Sequence, residues 1–398
     1  MWCVAGGAAV RLAGLAAKWS DPLPLADALW YSASAVQIAQ GNGFVDPFEG
    51  GPSAEHGPLT PLVLAAVSWI DNPVGWQRLV NTVAGIATVA LIAWLAHLVA
   101  GRRAAIAAGA IAAVYPNLWL NDSAVMSESL ACLLVVAATI AAWRTTSGHH
   151  VRWAVGAGAA AGLATLARSE LGLVVVGLAI VVALGARRDD RRQAYARAAT
   201  IVGVGSLVLA PWVGANLVRF EQPVLLTTND GTTLLGSNCA DTYRRTSGFH
   251  GGWSLNCLLT DGSAGEPEPS VRASQQRHAA LSYARAHVGQ LPIVAAARLA
   301  RTSSVYRVAN LVDGDVGEGK ARWAVWSGVV AWWLLAPFAA VGLTTLGRRG
   351  RAVLLVPIVA VAVTTVLFYG GHRVRAVMAV VVAAAACVVS LIDRRRST

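Results

Sequence analysis

Charge is what this chain lacks most. Of its 398 residues, 13% are Asp, Glu, Lys or Arg, while 56% are hydrophobic. A soluble domain carries roughly a quarter charged residues, so the deficit excludes an ordinary soluble globule and points to a bilayer. Catalytic signatures of the common soluble kinds are absent too. There is no phosphate-cradling Walker motif, no His-Glu-x-x-His and no Gly-x-Ser-x-Gly, which argues against ATP-driven transport, zincin chemistry and a serine-hydrolase elbow. The five cysteines have no metal-ligand spacing. The N-terminus has neither a basic leader nor a small-residue cleavage site. Its short apolar run contains Arg11, which either snorkels to the outer interface or follows further upstream sequence. The formal charge of +11 does not indicate nucleic acid, because the basic residues cluster in short loops between apolar runs, as membrane topology demands.

Those apolar runs lie at 2–17, 74–100, 104–120, 124–143, 153–167, 171–186, 198–213, 324–346, 352–368 and 375–392. They predict an all-α polytopic membrane protein of about ten transmembrane helices. One set of loops carries Arg102, Arg103, Arg144, Arg152, Arg187, Arg188, Arg191, Arg192, Arg197, Arg348, Arg349, Arg351 and Arg394 to Arg396. The alternate set is nearly free of them, so the basic set is expected in the cytoplasm with both termini. Loops 18–73 and 214–323 are then extracytoplasmic. The organisation reads as an N-terminal transmembrane module (1–213), a small cap (214–323) and C-terminal transmembrane helices (324–398). Trp69, Trp76, Trp119, Trp212 and Trp323 fall at the outer helix ends, and Trp143 and Trp153 at the inner ones, the belts expected at interfaces. Gly156, Gly158 and Gly162 follow no strand and read as close helix packing.

The first outer loop predicts a surface helix over Asp27–Gln40, with Leu29, Ala33, Val36 and Gln40 on one face and Gly41-Asn42-Gly43 as its stop, then a second over Leu59–Ile70. In the cap, Asn229-Asp230-Gly231 between Val224–Thr228 and Thr232–Gly236 predicts a β-hairpin. Helices are expected over 270–287 and 291–306, giving a small α+β cap. Cys239 and Cys257 are its two cysteines; facing an oxidising compartment, they are expected to form a structural disulfide.

Charges next to hydrocarbon are costly and default to functional candidates. Asp27, Glu55, His56, Asp122, Glu128, Arg168, Glu170, His372, Arg373 and Arg375 all map to the outer side. Far apart in sequence, they predict one site built from several helix ends. Asp27 reads as a general base, against the plainer role of a first-turn acid. His372-Arg373-Val374-Arg375 breaks the positive-inside trend, which points to an anionic ligand.

Several stretches in order resemble the GT-C class of polytopic glycosyltransferases, and within it glycosyltransferase family 39, the protein O-mannosyltransferases and aminoarabinose transferases. They are Asp27 with Trp30, Tyr31 and Gly41-Asn42-Gly43-Phe44; His56-Gly57-Pro58-Leu59; Pro116 to Trp119 with Ser127-Glu128; Leu166-Ala167-Arg168-Ser169-Glu170; Pro211-Trp212 with Asn216; the expected hairpin at Thr228-Asn229-Asp230-Gly231; and His372-Arg373-Val374-Arg375. Protein O-mannosyltransferases pair two acids where Ala28 follows Asp27 here, and His56 precedes glycine where they have proline. The cap with its cysteine pair is similar to that of actinobacterial members. The resemblance implies sugar transfer from a polyprenyl-phosphate-linked donor to a hydroxyl on a glycan, lipid or protein acceptor at the outer face of the plasma membrane, with inversion. Asp27 would be the base. Arg168, Arg373 and Arg375, with His372, would hold the donor phosphate. Tyr31, Glu55, His56, Glu128 and Glu170 would orient substrate. Some relatives use a divalent metal, but no dedicated ligand cluster is visible here. The alternatives are a transporter or flippase of lipid-linked sugars, although internal repeats and midplane breaks are not evident, and a non-catalytic membrane scaffold.

Overall fold

The computed structural model describes residues 2–24, 27–147, 151–185 and 191–389. Arg187, Arg188, Arg394, Arg395, Arg396 and the end of the last apolar run lie outside these. The chain is nearly all helical: α1 (Trp2–Lys18), α2 (Asp27–Ala39), α3 (Leu59–Ala65), α4 (Pro73–Val114), α5 (Pro116–Asp122), α6 (Glu128–Thr146), α7 (Arg152–Ala167), α8 (Gly172–Leu184), α9 (Arg191–Arg219), α10 (Asn229–Ser237), α11 (Ala240–Tyr243), α12 (Asn256–Thr260), α13 (Pro269–Ala286), α14 (Leu291–Thr302), α15 (Val308–Gly317), α16 (Arg322–Thr345), α17 (Arg348–Leu367), α18 (His372–Ala376) and α19 (Val380–Ala386). Among the described residues, five helices are long and apolar enough to cross a membrane: α4, α6, α9, α16 and α17. The expected spans at 2–17, 153–167 and 171–186 are helices of 17, 16 and 13 residues.

The two apolar runs expected at 74–100 and 104–120 meet at Gly101, whose φ of 85° interrupts α4. The second stops early because Pro116 holds Tyr115 extended (φ −68°, ψ 113°). Gly158 and Gly162 of α7 do serve close packing. A Cβ on either would reach the backbone oxygens of Ile201 and Gly205 on α9, at 2.5 and 3.0 Å. The basic helix ends gather at one end of the bundle: Arg197 and Arg349 donate to the Thr145 and Thr146 carbonyls that close α6.

Four expectations are corrected. Arg11 does not snorkel. It is 2% exposed, its Nε donates to Asp122 Oδ2 at 2.6 Å, and its other nitrogens reach the carbonyls of Gly7, Ala112 and Ala113. A charge can stay buried only when paired and hydrogen-bonded, and Asp122, counted among the outer-site candidates, is that partner. The cap is helical, not α+β. Among the described residues the only β feature is an isolated Val45–Pro52 bridge, and the expected hairpin is helix α10. Asp230 favours a helix first turn as readily as a hairpin turn, and Gly231 lets α10 press onto the Ala273 backbone, where a Cβ would lie 2.5 Å from the carbonyl oxygen. The second surface helix ends at Ala65, not Ile70, where Ser68 Oγ–H and Trp69 Nε1–H cap the Leu64 and Ala66 carbonyls. Finally, the run from 375 breaks between α18, tied to the cap, and α19, packed on α4 and α16. Helix α2 forms as expected, but it buries Ala28, Tyr31, Ser32 and Ala35. Cys239 and Cys257 are bonded.

Candidate active site

The site is built from helix ends that face away from the basic end of the bundle. Asp27 opens α2, Glu128 opens α6, Arg168 follows α7, and Arg373 lies on α18. One turn along α2, Tyr31 stacks on His56 with ring centroids 4.8 Å apart. The 53–57 loop carrying His56 is pinned on two sides. The Ala54 carbonyl accepts the Thr228 N–H at 2.8 Å, and the Ser53 carbonyl accepts from Arg219, whose guanidinium lies 4.5 Å over the Trp212 ring. Gly57 has its own reason: any Cβ there would fall 2.2 Å from the Leu166 carbonyl oxygen at the end of α7. Glycine in place of the family's proline lets the loop lie against that helix.

The charged groups form one continuous chain. Arg373 NH1 lies 2.8 Å from Asp27 Oδ2 and 3.2 Å from Glu318 Oε1, while its Nε is 2.9 Å from Glu128 Oε1. The same Glu128 oxygen accepts from Arg168 NH1 at 2.7 Å, and Arg168 Nε donates to Glu170 at 2.7 Å. On the other flank, His56 Nε2 is 3.8 Å from Asp27 Oδ1, and its Nδ1 faces the Asn229 amide nitrogen at 3.3 Å. Asp27, Glu55, His56, Arg168, Glu170 and Arg373 line a single cavity of about 240 Å³, with Tyr31 and Tyr369 also in its wall. Glu128 lies beneath, 1% exposed.

Burial opposes ionisation of Asp27, but Arg373 and then His56 outweigh it and hold the carboxyl below its ordinary value. For Glu55, burial, with Asp27 adding to it, outweighs the counter-charge of Arg272 and pushes the carboxyl up to about 7. Burial lowers the His56 imidazole despite Asp27. With Nδ1 taking the Asn229 amide hydrogen, Nε2–H points toward Asp27.

Two predicted site residues stand apart. Arg375 is buried with its NH1 donating to the Thr302 carbonyl and Ser304 Oγ, and its guanidinium 4.5 Å from the Trp332 ring. His372 joins Asp315 at 2.6 Å and Ser304 Oγ at 3.0 Å. Successive side chains turn about 100° around helix α18, so of its three charged residues Arg373 alone lines this cavity and the expected four-residue clamp reduces to Arg168 and Arg373. Sequence reasoning missed Glu318 and its support: Lys320 Nζ bridges Asp315 at 2.6 Å and Glu318 at 3.1 Å. The signal was a glutamate and a lysine two residues apart immediately before an apolar run. Among the described residues, no three His, Cys, Asp or Glu side chains converge to hold an ion. Asp27 and Glu128 are both engaged by Arg373.

The helical fold, with five helices among the described residues long and apolar enough to cross a membrane, carries one cavity lined by charged side chains. Residues 55–213 match the family model described as dolichyl-phosphate-mannose-protein mannosyltransferase, in keeping with the resemblance to glycosyltransferase family 39. Among solved structures, the archaeal oligosaccharyltransferase AglB from Archaeoglobus fulgidus, in complex with an inhibitory peptide and a dolichol-phosphate, has a TM-score of 0.57 at 14% identity, over 99% of this chain and 51% of that one. The apo form of the Archaeoglobus fulgidus enzyme gives 0.58 at 14% identity, over 100% and 51%. The chain thus spans about half the length (51%) of these two structures. ArnT from Cupriavidus metallidurans bound to undecaprenyl phosphate is 16% identical, over 95% of this chain and 77% of that one, with a TM-score of 0.47. No curated protein matches the sequence.

Proposed function

We propose that this protein transfers a sugar from a polyprenyl-phosphate donor to an acceptor hydroxyl, with inversion at the anomeric carbon, on the extracytoplasmic face of the membrane. The observation that carries the reading is the contact of Arg373 with Asp27 on the wall of one cavity, with Arg168 beside it: a base and two cations at one place. A lipid phosphate is a good leaving group and needs no strong acid, only cations where charge develops. The family model's dolichyl-phosphate-mannose and the dolichol-phosphate held by AglB support this class of donor. Paired as it is here, Arg373 masks Asp27. A phosphate entering between Arg168 and Arg373 draws the guanidinium away, and the freed carboxylate regains basicity. The acceptor O–H proton then passes to Asp27, its oxygen bonds to the anomeric carbon, and the bond to the phosphate oxygen breaks with its electron pair leaving on the phosphate. The helices of 1–213 and 324–398 hold the lipid and 214–323 covers the site; the basic helix ends, with both termini, face the cytoplasm.

The test is transfer of radiolabelled sugar from a panel of polyprenyl-phosphate sugars in membranes carrying the protein. Label leaving the lipid for an acceptor supports the reading. Label that stays on the lipid but crosses the bilayer would replace it with flipping.

Glu55 gives a pH signature. Its ionisation near 7 places a second negative charge beside Asp27, raising the basicity of that carboxylate and offering the proton an onward acceptor. Transfer should therefore rise with pH through about 7, and Glu55→Gln should flatten that limb. A Glu55→Gln profile with the limb intact would remove Glu55 from the assignment.

A further inference from the structure

Arg373 has a second face. Behind it lies another cavity of about 450 Å³, larger than the first, which shares Tyr369 and Arg373 as a common wall and is otherwise lined by the cap, notably Phe249, Trp253, Asn310 and Glu318. The nitrogen that meets Asp27 in the first cavity is the one that meets Glu318 in the second. The second cavity opens outward, since Phe249 is 43% exposed and the Asp313 side chain 58%.

The chemistry of its lining is selective. Its carboxylates already have cationic partners: Asp313 with Arg322, Asp315 with Lys320, and Glu318 with Lys320 and Arg373. Arg301 is taken up by the Gly370 and Gly248 carbonyls. Apart from Arg373, which both cavities share, Arg301 is the one arginine of this lining among the described residues, and its Nε and NH1 are held by those carbonyls. What remains is an aromatic, mostly apolar wall with amide and carboxylate acceptors at intervals. That combination suits a neutral ligand with an apolar C–H face and peripheral hydroxyls.

We propose that this second cavity is the acceptor site and that it takes a neutral, sugar-like polyol, which reaches Asp27 past Arg373. The inference rests on the transfer reading above. It also orders the substrates: the side chain that the donor phosphate draws away is the one that separates the two cavities.

Gly314 provides the test. It lies on α15 in the wall of the second cavity, and a Cβ there meets nothing within 4 Å. A Gly314→Trp side chain would add bulk at that wall with no clash at its Cβ, and Gly314→Ala serves as the small control. The full-length protein, reconstituted in phosphatidylglycerol–phosphatidylethanolamine vesicles, is given an octyl glycoside carrying a photoreactive diazirine. Cross-links are mapped by mass spectrometry, and the apparent KM of the glycoside is measured wherever transfer occurs. The expected result is label in segments 247–254 and 308–318, increased by donor and lost in Gly314→Trp but not in Gly314→Ala. The glycoside KM should rise by about tenfold or more in Gly314→Trp, with the donor KM within about twofold. Label confined to the first cavity, or a folded Gly314→Trp protein with unchanged label and KM, overturns the acceptor site. Absence of transfer by wild type would count against the transfer reading, and the cross-link map would still decide whether this cavity binds a glycoside.

Discussion

Replacing Asp27 by asparagine should lower sugar transfer by about a thousandfold, within the range expected when a positioned general base is lost, while leaving the fold and donor binding intact. The substitution keeps the size of the side chain and an oxygen for the Arg373 NH1 contact at 2.8 Å, and removes only the ability to take a proton. Arg373 retains the Glu128 and Glu318 carboxylates, so its charge stays balanced. His56 keeps its stack on Tyr31 and its Asn229 partner. The expected pattern is therefore specific: kcat collapses, the donor KM moves little, and thermal stability stays near wild type. Asp27→Ala should be no less damaging but less informative, because it also opens a gap beside His56. A folded Asp27→Asn protein with near-wild-type transfer would rule Asp27 out as the base and turn attention to Glu55, the other cavity carboxyl, whose raised value makes it the stronger base of the two at rest. A large loss of donor binding would mean instead that the Asp27 charge serves to hold Arg373 in place.

Much of this site was legible in the sequence because ionisable residues at the edge of an apolar run are rare and costly. Asp27, Glu128, Arg168 and Arg373 stood out for that reason, and the structure brings them into one chain of contacts. The same rule also selected Asp122, whose partner Arg11 could not be paired with it from sequence, since 111 positions separate them. Arg375 and His372 were swept in with Arg373 because a one-dimensional cluster says nothing about which side of a short helix each residue takes. Glu318 escaped because it lies in the polar cap, where a glutamate is unremarked. The hairpin was misread because Asn-Asp-Gly is at once a turn signal and an acceptable helix start, and only the close approach to Ala273 decides between them. Apolar runs located the long helices α4, α6, α9, α16 and α17. They could not reveal that a run such as 375–392 would break, because that depends on anchoring contacts from the cap.

Arg373→Gln is expected to cost both stability and donor binding, and the two losses should be separable. Its guanidinium touches Asp27, Glu128 and Glu318, and Arg168 reaches the same Glu128 oxygen. Removing one member of a buried ion pair typically costs about 3–5 kcal/mol. Here the loss should fall near the lower end, roughly 3 kcal/mol, because Glu128 keeps Arg168 and Glu318 keeps Lys320. Among the described residues, Asp27 is left with His56 at 3.8 Å and the more distant Arg168 charge, so its carboxyl should rise toward the ordinary range. Adding Glu128→Gln should recover most of the stability, since the buried carboxylate that lost a cation is now neutral and can still accept from Arg168 through its amide oxygen. It should not recover the donor. With one of the two cavity arginines gone, affinity for the lipid phosphate should remain weaker by about a hundredfold, the scale of truncating a charge-assisted pair. Arg373→Lys should behave much like the glutamine variant in binding, because a single ammonium cannot present separate Nε and NH1 donors to Glu128 and Asp27 at once. Thermal unfolding of the detergent-solubilised protein reads the first effect, and titration with a short-chain polyprenyl phosphate reads the second. If the double variant regained donor affinity along with stability, Arg373 would be a strut of the fold, and the phosphate would have to be held by Arg168 alone.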